Sequence, residues 1–77
     1  MTRGLFNWNY NDVVSVLRAH GFSHNHSRGS HQYFIGNVGG KLQQVEVPYH
    51  GAKTFKPRTV KGMLLQSGLT KKDWGIE

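Results

Sequence analysis

The hydrophobic pattern of this chain changes its period twice, which limits the folds that the chain can adopt. Apolar residues recur at helical spacing near both ends, in the sets Tyr10, Val13, Val14, Leu17 and Val60, Met63, Leu64. Between them, residues 31–47 contain two runs that are typical of strands. Because amphipathic helices must bury their apolar faces, this order predicts a single α+β domain. The predicted order is α-β-β-β-α, with two helices on one face of a three-stranded antiparallel sheet.

Capping signals set the bounds of the first helix, which is predicted over residues 10–20. Asn9 is a suitable N-cap residue for it. Asp12 places a negative charge near the positive end of the helix dipole, and Gly21 ends the helix.

A second helix is predicted to begin at Pro57, because the missing N–H of proline costs nothing at the first helical position. The residue that caps it is either Thr54 or Lys56. Gly68 is a suitable residue to end this helix, and Thr70 is a suitable cap for one further turn.

Three strands are predicted between the two helices. They are residues 22–27, 31–36 and 42–47, separated by turns at 28–30 and 37–40. The first is the weakest, because its residues are mostly polar. Pro48 ends the pairing of the third strand, since it has no N–H to donate. Tyr33 and Phe34 are neighbours on one strand, so one of them faces the core and the other faces away.

Composition and charge exclude several classes of function. The 77 residues include no Cys, which excludes a disulfide framework, a thiolate metal site and a Cys nucleophile. The four acids are scattered along the chain, so neither a two-metal nuclease nor a two-carboxylate glycosidase is supported. The net charge of +6 favours a polyanion or an acidic protein as partner. Since neither a membrane span nor a signal peptide is recognised, we expect a cytoplasmic protein with no membrane association.

His31 is the first candidate for chemistry, because it begins a strand directly after the Gly29-Ser30 turn. At the rim of a sheet its ring is open to substrate, and imidazole gives or takes a proton near neutral pH. RNA can be cleaved in this way without a metal, when a base deprotonates the 2′-hydroxyl and an acid protonates the leaving 5′-oxygen. The alternative is an exposed histidine without a role.

A basic stretch around the start of the second helix is the second candidate. It contains His50, Lys53, Lys56, Arg58 and Lys61. Cationic side chains beside free helix N–H groups can bind phosphate, and Tyr33, Tyr49 or Phe55 would stack on a base if exposed. The alternative is a solvated basic face, with Phe34 and Phe55 in the core. Trp8 and Trp74 are also expected to be buried, since a domain this small must cover its large aromatic rings.

His24 and His26 form a third candidate, because residues at i and i+2 of a strand share one face. With His31 or His50 they would supply the three imidazoles that suffice for zinc. No spacing signature supports this site.

Several of these motifs together resemble the HicA toxin family, small mRNA interferases of type II toxin–antitoxin modules. The resemblance rests on Gly21-Phe22, Gly29-Ser30-His31, Val47-Pro48-Tyr49-His50, Lys53 and the helix end Leu64-Leu65-Gln66-Ser67-Gly68-Leu69. It extends over residues 10–69 and leaves residues 1–9 as an N-terminal extension and 70–77 as a C-terminal turn of a single domain over 1–77.

The resemblance implies a double-stranded-RNA-binding-domain-like fold and a metal-independent endoribonuclease whose catalytic histidine is His31. It also implies mRNA as the substrate and a HicB-like antitoxin that covers the active site. Two positions depart from the family pattern. Many members have Arg where this chain has His26, and the second helix often starts with Gly-Thr-Leu where this chain has Arg58-Thr59-Val60.

We therefore expect an RNA-cleaving toxin in which His31 is the general base or acid. Supporting roles are expected for Gly29, Ser30, His26 and His50. The proton-transfer partner of His31 is left open among His24, His26, His50 and a water. RNA binding is expected from Arg28, Tyr33, Lys53, Lys56, Arg58 and Lys61. Neither a metal nor a small-molecule cofactor is expected. Two alternatives remain: a non-catalytic RNA-binding module of the same fold, and a domain whose basic face binds an acidic protein.

Overall fold

The computed structural model describes residues 4–76 of the chain. Within them the elements are α1 (Tyr10–Ala19), β1 (Ser23–Arg28), β2 (His31–Val38), β3 (Lys41–Pro48), α2 (Pro57–Ser67) and α3 (Lys71–Trp74). The strands form one antiparallel sheet in the order β1-β2-β3, so that β2 is central. The predicted α+β domain with its α-β-β-β-α order is confirmed. In this part of the chain, no helix is both long and apolar enough to cross a membrane.

A capping box begins α1 where the sequence predicts it. The Asn9 side chain accepts a hydrogen bond from the Asp12 N–H at 2.9 Å, and the Asp12 carboxylate accepts one from the Asn9 N–H at 3.0 Å. The helix ends one residue earlier than predicted, because His20 has left helical geometry with ψ at 24°. Gly21 then takes a φ of 85°, which glycine adopts without steric cost.

The N-cap residue of α2 is Lys56. Of the two residues that the sequence leaves open for this position, Thr54 and Lys56, the second is therefore correct. Thr54 pairs instead with Asn9 in an isolated antiparallel bridge. Pro57 occupies the first helical position and Gly68 ends the helix in the left-handed conformation, as predicted. The Lys56 side chain makes no capping hydrogen bond, so the first turn of α2 has no side-chain cap.

The segment before α1 belongs to the core. Trp8 is 1% exposed, and its ring centroid lies 5.4 Å from that of Trp74. The Trp8 carbonyl accepts a hydrogen bond from the Phe55 N–H at 2.7 Å. A second capping box, formed by Thr70 and Asp73, starts the turn that places Trp74 in the core. The expected burial of Trp8, Trp74 and Phe55 is thus confirmed. Residues 1–3 of the expected extension and Glu77 lie outside the described residues.

The sheet buries only one of its faces. Phe34 on β2 is paired with Val45 on β3, and both are buried together with Val47 against the two longer helices. The hairpin between β2 and β3 is tighter than predicted. Val38 pairs with Lys41, so the turn contains only residues 39–40, both with positive φ, and β2 is two residues longer than expected. A two-residue turn in which both residues have positive φ matches the right-handed twist of the flanking strands.

A β-bulge in β1 corrects one prediction. His24 is paired with Phe34 whereas His26 is paired with Tyr33, so the register shifts at Asn25. The extra residue reverses the alternation, and His24 and His26 therefore lie on opposite faces of the sheet. The prediction that they share one face is wrong, and with it the zinc site built on that pair. Among residues 4–76, no three His or acidic side chains come close enough to hold a metal ion.

Two glycine substitutions test this packing. A Cβ on Gly36 would lie 2.7 Å from the ring of Phe22, which is only 3% exposed and has no room to move. We expect Gly36→Ala to lower the free energy of unfolding by about 1–3 kcal/mol, since overpacking forces strain on the core. Gly62 lies inside α2, and nothing is within 4 Å of its would-be Cβ. Gly62→Ala should therefore raise the free energy of unfolding by about 0.5–1 kcal/mol.

Urea unfolding followed by circular dichroism measures both changes. A Gly36→Ala protein as stable as the parent would contradict the close packing of β2 against Phe22.

Candidate functional site

The sheet face opposite the helices, here called the open face, carries four of the candidate residues: His26, Arg28, His31 and Tyr33. It is defined by His26, Arg28, His31, Tyr33, Ile35, Gln44, Glu46 and Pro48. Side chains alternate along a strand, so the burial of Phe34 against the helices directs Tyr33 and His31 to the other side. None of the eight residues is buried, and the face is therefore open to a ligand.

His31 lies at one end of this face, as the first residue of β2. The preceding turn, Gly29 and Ser30, requires a φ of 60° at Gly29. His31 lies between Arg28 on β1 and Pro48 on β3, which are its direct cross-strand neighbours. Its side chain is 47% exposed. A cation and an accessible imidazole are thereby placed side by side.

A backbone hydrogen bond joins the 29–31 motif at the start of β2 to the 47–50 motif at the end of β3. The Tyr49 N–H donates a hydrogen bond of 2.7 Å to the Ser30 carbonyl. This bond continues the strand pairing beyond Pro48 and holds the 29–31 turn beside the loop that carries His50. The prediction that Pro48 ends the pairing is therefore wrong, because β3 is an edge strand and the missing N–H of Pro48 falls on its unpaired side. The sequence motifs at 29–31 and 47–50 are therefore one structural unit.

The carboxylate of Glu46 contacts His31, with Glu46 Oε2 against His31 Nδ1. Sequence reasoning misses this residue, because it treats the four acids as scattered. The signal lies in the Gly39-Gly40 pair, which is typical of a two-residue hairpin turn. When the strands are paired outward from that turn, Glu46 lies opposite Tyr33. It is then diagonal to His31, on the same face of the sheet.

The other two histidines of β1 are separated by the bulge. His26 lies on the open face, where its ring is stacked on Tyr33 with centroids 4.4 Å apart and planes 8° apart. His24 lies on the opposite face, where its Nε2 donates to the Gln32 amide oxygen at 2.9 Å and its ring packs edge-on against Phe34. The structure thus brings His26 to the face of His31 and keeps His24 away from it.

His50 and Lys56 of the basic stretch line a groove beside the open face. A cavity of about 350 Å³ is lined by Pro48, His50, Thr54, Phe55, Lys56 and Thr59. Since Pro48 is also the neighbour of His31, this groove adjoins the open face. Within residues 4–76, no carboxylate pairs with Lys53, Lys56 or Arg58. Of these three cations, Lys56 lines the groove, and Arg58 lines an adjoining cavity with Lys56 and Thr59. Lys61 lines a separate groove with Leu64 and Leu65.

The aromatic candidates differ in their accessibility. Phe55 is 8% exposed and belongs to the core, so it is not available for stacking on a ligand. Tyr49 is 52% exposed, and its ring packs edge-on against Tyr10 at 4.9 Å. Burial raises the pKa of Tyr10, and Arg18 opposes that rise. Of the rings considered, Tyr33 is the one on the open face.

A comparison with known families reproduces the resemblance carried by these motifs. Residues 10–69 match the family model described as HicA toxin of bacterial toxin–antitoxin. The matched residues run from the first residue of α1 to the residue after Gly68, and so include the whole sheet and both longer helices. No match was found among curated proteins.

The bulge predicts a distinctive NMR signature for His26. Because its ring is stacked on Tyr33, we expect ring-current shifts that move its carbon-bound protons upfield of those of the exposed His50. Tyr33→Leu should remove this difference while leaving the His24 signals unchanged, since His24 lies on the other face. Loss of the shift from His24 instead of His26 would contradict the register at Asn25.

Proposed function

The chain belongs to the HicA toxin family, and on that premise we propose that it is the toxin of a toxin–antitoxin pair and cleaves mRNA without a metal. The observation that supports this proposal most is the exposed imidazole of His31 on the open face, with Arg28 as its direct neighbour. Proton transfer by an accessible imidazole is the chemistry that RNA cleavage requires when neither carboxylates nor metal supply it.

In the proposed reaction a base removes the proton of an RNA 2′-hydroxyl. The 2′-oxygen forms a bond to the adjacent phosphorus, and the bond from phosphorus to the 5′-oxygen breaks. An acid protonates that leaving oxygen, so the products carry a 2′,3′-cyclic phosphate and a 5′-hydroxyl. His31 acts as the base or the acid, and such a group typically contributes about 10²–10⁴-fold to the rate.

Two further side chains of the open face have roles in this proposal. Arg28 lies directly opposite His31, where directly paired side chains are about 5 Å apart at Cβ, and it stabilises the charged phosphorane. His26, fixed by its stack on Tyr33, is the second proton-transfer group. His24 is excluded from that role because it lies on the other face.

The RNA backbone is proposed to run from the open face into the groove at the start of α2. His50 and Lys56, which line this groove, would contact phosphates there, and Lys53 and Arg58 would contact phosphates beside it. Tyr33 would contact a base on the open face. Lys61 lines a different groove, so the proposal assigns it no contact near His31.

The proposed protein partner is a HicB-like antitoxin that covers the open face. The net charge of +6 and the unpaired cations around the start of α2 favour an acidic surface on that partner. Complementary charge speeds association and helps to exclude wrong partners.

The catalytic assignment is tested by His31→Ala, with His24→Ala as the matched control. Both residues are exposed histidines of the same sheet, but only His31 lies on the open face. We expect purified His31→Ala to lose cleavage of a single-stranded RNA by at least about 10²-fold, whereas His24→Ala should cleave like the parent. EDTA should leave the parent activity unchanged.

Full cleavage by His31→Ala would contradict the assignment. Binding of RNA by the parent without any cleavage would favour the non-catalytic module, and inhibition by EDTA would favour a metal-dependent reaction.

The cations around the groove at the start of α2 are tested by the salt dependence of RNA binding, measured in the His31→Ala background so that the RNA stays intact. Combined replacement of Lys53, Lys56 and Arg58 by Ala should weaken binding. It should also flatten the slope of log K against log salt by about 2, since each phosphate contact on a single strand contributes about 0.7.

The matched control replaces Lys41, Lys71 and Lys72 by Ala. It removes the same charge from the β2–β3 hairpin and α3, away from the groove. Equal losses in the two triple variants would mean that only net charge matters, contrary to the proposed groove.

A further inference from the structure

We propose that Glu46 is the positioning residue for His31, holding its imidazole in the one tautomer that leaves Nε2 free to accept a proton. This inference rests on the proposed proton-transfer role of His31. The starting observation is the strand register. Glu46 is paired with Tyr33 and Pro48 with His31, so Glu46 is the diagonal neighbour of His31 on the same face, and its Oε2 contacts His31 Nδ1.

The backbone of Glu46 is held from the other side of its strand. β3 is an edge strand, and the Glu46 N–H donates a hydrogen bond of 3.0 Å to the amide oxygen of Gln66 on α2. Glu46 is therefore fixed by β2 on one side and by α2 on the other. A carboxylate placed in this way can orient a ring that is itself half exposed.

The contact determines which ring nitrogen carries the proton. A carboxylate can only accept hydrogen bonds. Nδ1 of His31 must then be the donor, and in the neutral ring Nε2 carries a lone pair. The two nitrogens point in diverging directions, so Nε2 points away from Glu46. When Nε2 takes up the proton of the 2′-hydroxyl, the carboxylate lies beside the imidazolium that forms.

The charge of the surroundings supports a role in orientation. Within residues 4–76, Glu46 is the only acid on the open face, since Asp12 lies in α1 and Asp73 in α3. A negative charge on a face that binds RNA repels phosphate and weakens binding. Its position is understandable if it acts on His31 and does not touch the RNA.

The test compares Glu46→Gln with Asp73→Asn. Both remove one negative charge, and Asp73 is also near a histidine, with His20 Nε2 at 3.9 Å, but it is far along the chain in α3. Cleavage rates over a range of RNA concentrations separate kcat from KM. Nitrogen-15 NMR of the His31 ring reports its tautomer directly, whether or not the RNA is cleaved.

We expect Glu46→Gln to lower kcat about 10–100-fold, the range seen when a metal-binding histidine loses the carboxylate that orients it, with KM unchanged or lower. The parent should show His31 protonated at Nδ1, and Glu46→Gln should shift the ring toward the other tautomer. Asp73→Asn should change neither kcat nor the His31 signals. Thermal unfolding of each variant identifies any loss of fold.

Two outcomes would overturn the inference: an unchanged kcat in Glu46→Gln with only a lower KM, which marks simple repulsion of RNA, or the same His31 tautomer in parent and variant. Either result leaves the proposed function standing if His31→Ala is inactive. Cleavage by His31→Ala would instead remove the proposed function while the NMR comparison still tests the contact.

Discussion

The alternation of side chains along β2 is the constraint on which both the core and the site depend. This central strand must direct Phe34 into the core beneath the helices, and its two ladders fix the register on either side. Once Phe34 is buried, Tyr33 and His31 are obliged to lie on the open face, because a shift of one residue would exchange the two faces. The stability of the fold and the exposure of the proposed catalytic residue therefore have the same origin.

The site is assembled where the ends of three strands meet. The hydrogen bond from the Tyr49 N–H to Ser30 joins the turn before His31 to the basic loop. Arg28 lies beside His31, and the α2 groove continues from Pro48. A chain with few acids uses one of them at this point. In the proposed mechanism, histidines transfer the protons, the cations hold phosphate, and the acid orients a ring.

Local signals predicted the elements well, and long-range pairing was harder to predict. The helix boundaries at Asn9, Pro57 and Gly68 could be predicted because each depends on a few neighbouring residues. The bulge at Asn25 could not be predicted, because a polar strand has no hydrophobic alternation in which an extra residue would show. The contact between Glu46 and His31 was also missed, because it depends on a hairpin register that a four-residue loop had obscured. The residues proposed to bind and cleave RNA follow from the motifs.

The chemical ends left on cleaved RNA test the proposed histidine chemistry most directly. Attack by the 2′-oxygen predicts fragments with a 2′,3′-cyclic phosphate and a 5′-hydroxyl. It also predicts that a single 2′-deoxy substitution at the cleaved nucleotide blocks the reaction. Mass spectrometry of the fragments distinguishes these ends. Fragments with 5′-phosphate ends, or cleavage that persists at the 2′-deoxy position, would show that water attacks the phosphorus and would contradict the proposed mechanism.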